Sequence, residues 1–405
     1  MSHAERRSSS WPALPAALWS RLARQIVDRI AVGELTLHFP DGSQVHAAGA
    51  AAGPHAVMHI HRGRFFLRLL NSGAIGLAEG YIAEDWSSPD LEAVLELALL
   101  NEPAIGDAVA LNRLQGAWER LRHLGRANTK RGSRRNIAAH YDLGNHFYRQ
   151  WLDETMTYSA ALFARSDMDL AEAQRAKYRR IIDILKLKPG ERVLEIGCGW
   201  GGFAEIAAKE AGCHVTGLTL SREQAAFARE RLSGAGLGEK TEIRLEDYRD
   251  TAGSYDKIVS IEMFEAVGEA NWATFFNVVH RRLKENGRAL VQVITMDETR
   301  FQHYRKNVDF IQRYVFPGGM LPPRSAFESH AREAGFEIGD AFFFGRDYAE
   351  TLRRWEKAFL AHWPAVSELG FDERFRRLWR YYLTYCAVGF KRGRVDVGQF
   401  LLARG

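Results

Sequence analysis

Long apolar runs are missing from this 405-residue chain. No stretch of 18 or more apolar residues occurs, so no bilayer-spanning helix is expected. The early apolar stretch from Trp11 is broken by Pro12 and Pro15, which argues against a secretory signal. Cysteine is scarce: Cys198, Cys213 and Cys386 are odd in number and widely spaced, and suggest neither a bridge nor a zinc site. A reducing cytoplasm is the expected setting. His140 and His146 have no second group of ligands beside them in sequence, so no metal is expected. Internal repeats and low-complexity segments are also lacking, which sets solenoids and fibrous classes aside.

What is present is an ordinary globular composition, with 46% hydrophobic and 26% charged residues and a net charge of +5. A pI near 9.0 favours anionic partners, whether nucleic acid, lipid headgroups or acidic metabolites. Charge alone does not choose among them. Basic residues gather at Arg120, Arg122, Arg126, Lys130, Arg131, Arg134 and Arg135, and again at Arg374, Arg376, Arg377, Arg380, Lys391, Arg392 and Arg394. Such clusters suit a solvated helix face as well as a docking surface.

The length calls for two domains. Leu14, Leu18, Leu22, Ile26 and Ile30 recur every fourth residue, the period of an amphipathic helix. Strands at 34–39 and 44–47 flank Asp41-Gly42 and read as a hairpin, 57–61 as a further strand, and 65–70 and 91–100 as helices. Residues 1–124 therefore form a small mixed α+β domain. Residues 125–135 form a basic, glycine-containing linker, and residues 136–405 a second domain.

In that second domain strands alternate with helices. Strands are expected at 192–196, 214–218, 242–245, 255–261 and 289–295, with helices at 203–209, 223–232 and 272–283. This order predicts an α/β fold with a doubly wound, mostly parallel Rossmann-like sheet, whose ligands bind beyond the carboxyl ends of its strands. Glu195-Ile196-Gly197-Cys198-Gly199-Trp200-Gly201-Gly202 follows the first of these strands and opens a helix, the context a glycine-rich cofactor loop requires. A tight strand-to-helix turn would use glycine too. The acid two residues before the first glycine repels a pyrophosphate but suits the ammonium group of S-adenosylmethionine, by direct contact or through a water. A class I methyltransferase loop is favoured over a nicotinamide site.

Several further segments occur in order: 137–145 (Ile-Ala-Ala-His-Tyr-Asp-Leu-Gly-Asn), 156–159 (Met-Thr-Tyr-Ser), 218–224 (Leu-Thr-Leu-Ser-Arg-Glu-Gln), 263–265 (Met-Phe-Glu) and 316–322 (Phe-Pro-Gly-Gly-Met-Leu-Pro), then Cys386 before Gly389-Phe390. On these residues the chain resembles the cyclopropane fatty acid synthases, which include the mycolic acid cyclopropane synthases and related fatty-acid methyltransferases. The likeness spans nearly everything after Arg135. It implies that Tyr158, Ser159, Glu195, Gly197, Cys198, Gly199, Gly201, Gly202, Thr219, Gln224, Tyr248 and Arg249 form the S-adenosylmethionine site. Ser221 with Gln224 also reads as a capping box for the following helix.

The resemblance further implies one-carbon transfer to the cis double bond of an unsaturated phospholipid acyl chain, giving a cyclopropane. The enzyme would be cytoplasmic, docked through its basic clusters on the inner, anionic face of the membrane; the resemblance also implies that residues 1–124 bind lipid or mediate dimerisation, so a homodimer is a further expectation. Closing the ring requires a base. In the family a bicarbonate is held by a cysteine, a glutamate, a histidine and a tyrosine. Glu265 and Tyr348 match two of these, whereas Ala160 stands for the cysteine and Gln292 for the histidine. These changes open a rival outcome, a methylated or methyl-branched chain, and a third, a lipid-binding homologue without catalysis. Cys386 matches a position drawn as an active-site cysteine, although an alkene reaction needs no thiolate and a buried structural role serves equally. Aromatics at 301–316, 342–344 and 381–385 suggest an apolar acyl tunnel. A nucleic-acid amino-methyltransferase is disfavoured, because 261–265 reads Ile-Glu-Met-Phe-Glu where an Asp/Asn-Pro-Pro-aromatic motif is needed.

Overall fold

The computed structural model describes residues 23–102, 104 and 143–404. The expected linker 125–135, the basic cluster within 120–135, His140, and Leu14, Leu18 and Leu22 of the first expected helix lie outside the described residues. Two compact units emerge. One contains the described residues up to 104 together with Asp372–Tyr385, and the other contains residues 143–371 and 386–404. The sequence reading kept 136–405 together. The first turns of the helix Glu373–Lys391 instead group with the N-terminal residues.

The physical reason is Arg377. Its guanidinium donates to the carbonyls of Tyr81 and Trp86 at 2.5 and 2.9 Å and lies 4.0 Å from the centre of the Tyr81 ring.

Within this first unit, β1 (Val32–His38) and β2 (Gln44–Ala48) form the expected antiparallel hairpin, with Gly42 at φ 83° in its turn. β3 (Ala51–Ile60), longer than expected, runs parallel to β1, and β4 (Trp86–Ser87) completes a sheet of order β2-β1-β3-β4. The helix Arg64–Ile82 outruns the expected 65–70 and kinks at Gly73, φ 54°. Fully buried Asp85 is neutralised by Arg64 and Arg68 at 2.6 and 2.9 Å.

The second unit is built on a seven-stranded sheet of order β10-β11-β9-β8-β5-β6-β7. Its strands are β5 (Arg192–Ile196), β6 (His214–Thr219), β7 (Thr241–Leu245), β8 (Tyr255–Ile261), β9 (Leu283–Met296), β10 (Phe336–Phe343) and β11 (Val395–Arg404). Pairings among β5 to β9 are parallel, and β11 runs antiparallel to both of its neighbours. Buried runs such as Val193-Leu194 and Leu290-Val291 are apolar on both faces because helices cover both faces. Trp272, Phe275, Phe276 and Phe327 pack in one core cluster; Ile181, Phe203, Ala228 and Leu232 pack in another. Crossovers from β5 lead to β6 on one side, while β8 lies on the other, so the strand order reverses at β5 and opens a crevice at the carboxyl ends there.

Candidate active site

That crevice holds a pocket lined by Tyr158, Ser159, Glu195, Gly197, Cys198, Gly199, Gly202, Thr219, Gln224, Tyr248 and Arg249. All but one of the expected cofactor residues therefore meet in one place. Gly201 does not line the pocket; it caps the short helix Gly202–Ile206 in the left-handed conformation. Two glycines of the loop have distinct demands. Gly197 sits at φ 85°, where a Cβ would come within 2.9 Å of Met263, whereas Gly199, at φ 52°, would meet nothing within 4 Å. Gly199 thus leaves bare backbone beside the space a ligand would take. Trp200 donates its indole N–H to Asn145 Oδ1 at 2.7 Å, tying the loop to the end of the 137–145 segment.

Glu195 is 2% exposed, and its Oε2 has no hydrogen-bond partner. Burial pushes its carboxyl up to about 8, against the pull of the Lys177 charge. An unpartnered carboxylate oxygen lining a pocket fits a cationic donor, and the ammonium of S-adenosylmethionine supplies one. Tyr248 Oη is likewise buried without a partner in the same lining. The cofactor therefore fits the donor set the chain presents.

Lys177, which no sequence motif marks, is completely buried. Its ammonium donates to Ser159 Oγ and Gln174 Oε1, both at 2.6 Å, while Gln174 donates to the Ser159 carbonyl at 2.8 Å. Burial pulls Lys177 down to about 7, partly countered by Glu262, Asp153 and Glu195. Ser159 is thus locked from behind. Tyr158 packs against Tyr148 and Trp355, with ring centres 5.4 and 5.2 Å apart.

Thr219 ends β6 and donates its hydroxyl to Gln224 Oε1 at 2.9 Å, leaving the Gln224 amide nitrogen as the donor for a ligand. The capping box is only half formed. Ser221 Oγ accepts from Gln224 N at 3.2 Å, but the Ser221 N–H turns to Thr219 Oγ1 at 3.1 Å because Thr219 already holds the Gln224 side chain. After β7, Arg249 grips the carboxylate of nearly buried Asp247 through Nε and Nη2 at 2.8 and 2.6 Å. Arg249 lines the pocket as half of an ion pair.

The expected anion site is arranged differently from the resemblance. Ala160 N and Gln292 Nε2 donate at 2.8 and 2.7 Å to Glu262 Oε1, and Tyr348 Oη donates at 2.6 Å to Glu262 Oε2. The three groups expected around bicarbonate thus converge on a side chain of the protein. Gln292 Oε1 is engaged as well, accepting from Gln399 at 3.0 Å. Bicarbonate does not fit: the only hydroxyl hydrogen of Tyr348 and the Gln292 and Ala160 donors point at Glu262.

Glu265 is not the carboxylate at this centre. Its Oε1 accepts from the Ile294 N–H at 2.6 Å, its Oε2 is buried without a partner, and it does not line the pocket. Burial pushes its carboxyl up to about 8, reinforced by the neighbouring charge of Glu262. Burial raises the Glu262 carboxyl too, but Tyr348, Lys177, Ala160 and Gln292 pull it back, so of the two acids Glu265 is the one more firmly kept protonated. Burial raises the Cys386 thiol, which stays protonated, and Cys386 does not line the pocket. Nor does any of the three aromatic stretches. Phe301 packs on Trp272, and Tyr381 packs on Tyr81 in the first unit.

None of the segments that carry the family likeness singles out Glu262. A signal existed: it lies three residues before Glu265 at the end of a parallel strand. Its backbone is left-handed, φ 49°, a conformation that costs a non-glycine residue on the order of 1–3 kcal/mol.

Comparison with known proteins bears on this geometry. The model of the mycolic acid cyclopropane synthetase family matches residues 128–400. A tuberculostearic acid methyltransferase of Mycobacterium tuberculosis is 38% identical over 98% of this chain and 96% of its own length. The cyclopropane-fatty-acyl-phospholipid synthase of Escherichia coli K12 is 39% identical over 84% of this chain and 86% of its own. Among solved structures, a mycolic acid cyclopropane synthase complexed with SAH and CTAB superposes with a TM-score of 0.64 at 34% identity, covering 67% of this chain and 98% of that one.

Proposed function

The chain belongs to the mycolic acid cyclopropane synthetase family and is an S-adenosylmethionine-dependent cyclopropane synthase or fatty-acid methyltransferase, and from that premise we propose that it transfers one carbon to the cis double bond of an unsaturated acyl chain in membrane phospholipid, giving a cyclopropane. One observation carries the reading. The pocket that presents the unpartnered Glu195 carboxylate and the bare backbone of Gly199 is also lined by Glu262, so cofactor site and candidate base share one chamber. When bound, S-adenosylmethionine supplies an electrophilic methyl carbon.

The chain's own residues do the rest. Glu195 holds the ammonium end, Gln224 offers an amide donor from the first turn of the helix after β6, and the Lys177–Ser159 contact fixes the Ser159 part of the pocket wall. An alkene is a weak nucleophile, so holding it in line with the methyl is most of the catalysis. The proposed substrate is membrane lipid, reached by docking from the surface; among the described residues no helix is long and apolar enough to cross a bilayer.

A second reading, a methylated unsaturated chain, is favoured by the replacement of an external anion by Glu262, because a base fixed to the protein need not face the same proton. The test is mass spectrometry of phospholipid acyl chains from a host expressing the protein and fed methyl-deuterated methionine. A cyclopropane carries two labelled hydrogens and no double bond. Three retained labels with a surviving double bond identify the methylated alkene and overturn the first reading.

A further inference from the structure

The site's departure from the bicarbonate pattern is itself informative. Glu262 lines the pocket at the carboxyl end of β8, beside the strand-order reversal where ligands of this fold bind. Its two oxygens are not equivalent. Oε1 receives two donors, from Ala160 and Gln292, while Oε2 receives only Tyr348, so Oε2 keeps a lone pair for a proton. Buried Lys177, in its protonated form, adds a nearby positive charge that favours the Glu262 carboxylate. A carboxylate so held, on a left-handed backbone better suited to glycine, is a built arrangement.

We propose that Glu262 is the base of the reaction, replacing an external anion with a carboxylate carried by the chain, so that turnover needs no bicarbonate. The proposal rests on the one-carbon transfer reading above. The alkene's π pair bonds to the methyl carbon as the carbon–sulfur bond breaks, its electrons returning to sulfur and leaving a thioether. The cation left on the neighbouring chain carbon then loses a proton to Glu262 Oε2. The pair of the broken C–H bond closes the ring when the proton comes from the added methyl, or forms a new double bond when it comes from the chain. Glu262 afterwards releases the proton to water.

The full-length enzyme is assayed on vesicles of unsaturated phosphatidylglycerol with S-adenosylmethionine, in decarbonated buffer and with added bicarbonate, alongside Glu262→Gly and Glu262→Gln. Wild-type turnover is expected to be the same in both buffers. Both variants are expected to lose about 10²- to 10⁴-fold in turnover, the usual worth of a general base, while still binding S-adenosylhomocysteine by calorimetry. Glycine suits the left-handed backbone, so Glu262→Gly should fold, and the space it opens should let bicarbonate or formate restore part of the rate. Bicarbonate-dependent wild-type turnover overturns the proposal, as does a Glu262→Gln enzyme of normal rate. Failure of both anions to rescue Glu262→Gly also overturns it, making Glu262 a positioning residue. Absence of any transfer by the wild type would strike the underlying reading instead.

Discussion

Two carboxylates three residues apart, Glu262 and Glu265, show how environment assigns roles to identical chemistry. Glu262 collects three donors, whereas Glu265 has a single backbone donor and a buried, unpartnered Oε2. A protonated carboxyl is nearly isosteric with an amide. Glu265→Gln is therefore expected to cost far less turnover than Glu262→Gln, and equal losses in a side-by-side assay would refute the assignment. Glu195 gives a second test at this scale. Its carboxyl is protonated below about 8, and only the ionised form pairs with an ammonium. Affinity for S-adenosylhomocysteine should therefore rise with pH toward that value and then level. Glu195→Gln should weaken binding by about 10- to 100-fold, the worth of a charge-assisted hydrogen bond, and flatten the pH dependence. A wild-type affinity that is level from pH 6 to 8 in calorimetry would contradict this.

At the scale of the element, the start of the helix Arg222–Gly234 separates structure from ligand contact. Ser221 caps that helix while Thr219, the last residue of β6, holds the Gln224 side chain. Ser221→Ala is expected to lower stability by about 1 kcal/mol in urea denaturation and to leave cofactor affinity nearly unchanged. Thr219→Val should do the reverse, weakening cofactor binding because Gln224 loses the donor that orients its amide. If Ser221→Ala abolishes cofactor binding at unchanged stability, the division is wrong. The pattern of strands and helices in this unit was legible in sequence because buried parallel strands are short apolar runs separated by turn residues, as at 192–196 and 255–261. The half-formed capping box was not, since the competing hydroxyl of Thr219 belongs to the preceding strand.

For the whole molecule, the C-terminal basic cluster divides into two sets that a charge count merges. Arg377 binds the Tyr81 and Trp86 carbonyls, and Arg380 reaches Tyr81 Oη at 3.3 Å, whereas Arg374, Lys391 and Arg392 are exposed. Arg377→Ala is expected to destabilise the first unit by about 1.5–3 kcal/mol, as loss of hydrogen bonds from a charged donor does, measured by denaturation. Substituting Arg374, Lys391 and Arg392 together by alanine should reduce co-sedimentation with anionic vesicles, each charge near such a surface being worth about 1 kcal/mol. Undiminished sedimentation of that triple variant would remove this cluster from membrane docking.

The sequence by itself determined the alternating α/β order, the glycine loop with its leading acid, and the family, because each is written in contiguous residues whose spacing has local physical meaning. Tertiary structure alone decided which residues share a chamber. Ala160, Glu262, Gln292 and Tyr348 lie on four separate segments, and only the closing of β8 against β9 and the packing of the helix Gly345–Ala361 bring three donors onto one carboxylate. The same holds for Lys177, an unremarkable basic residue in a helix whose meaning comes from complete burial beneath Ser159. Burial and convergence depend on residues far apart in the chain, and no local pattern encodes them.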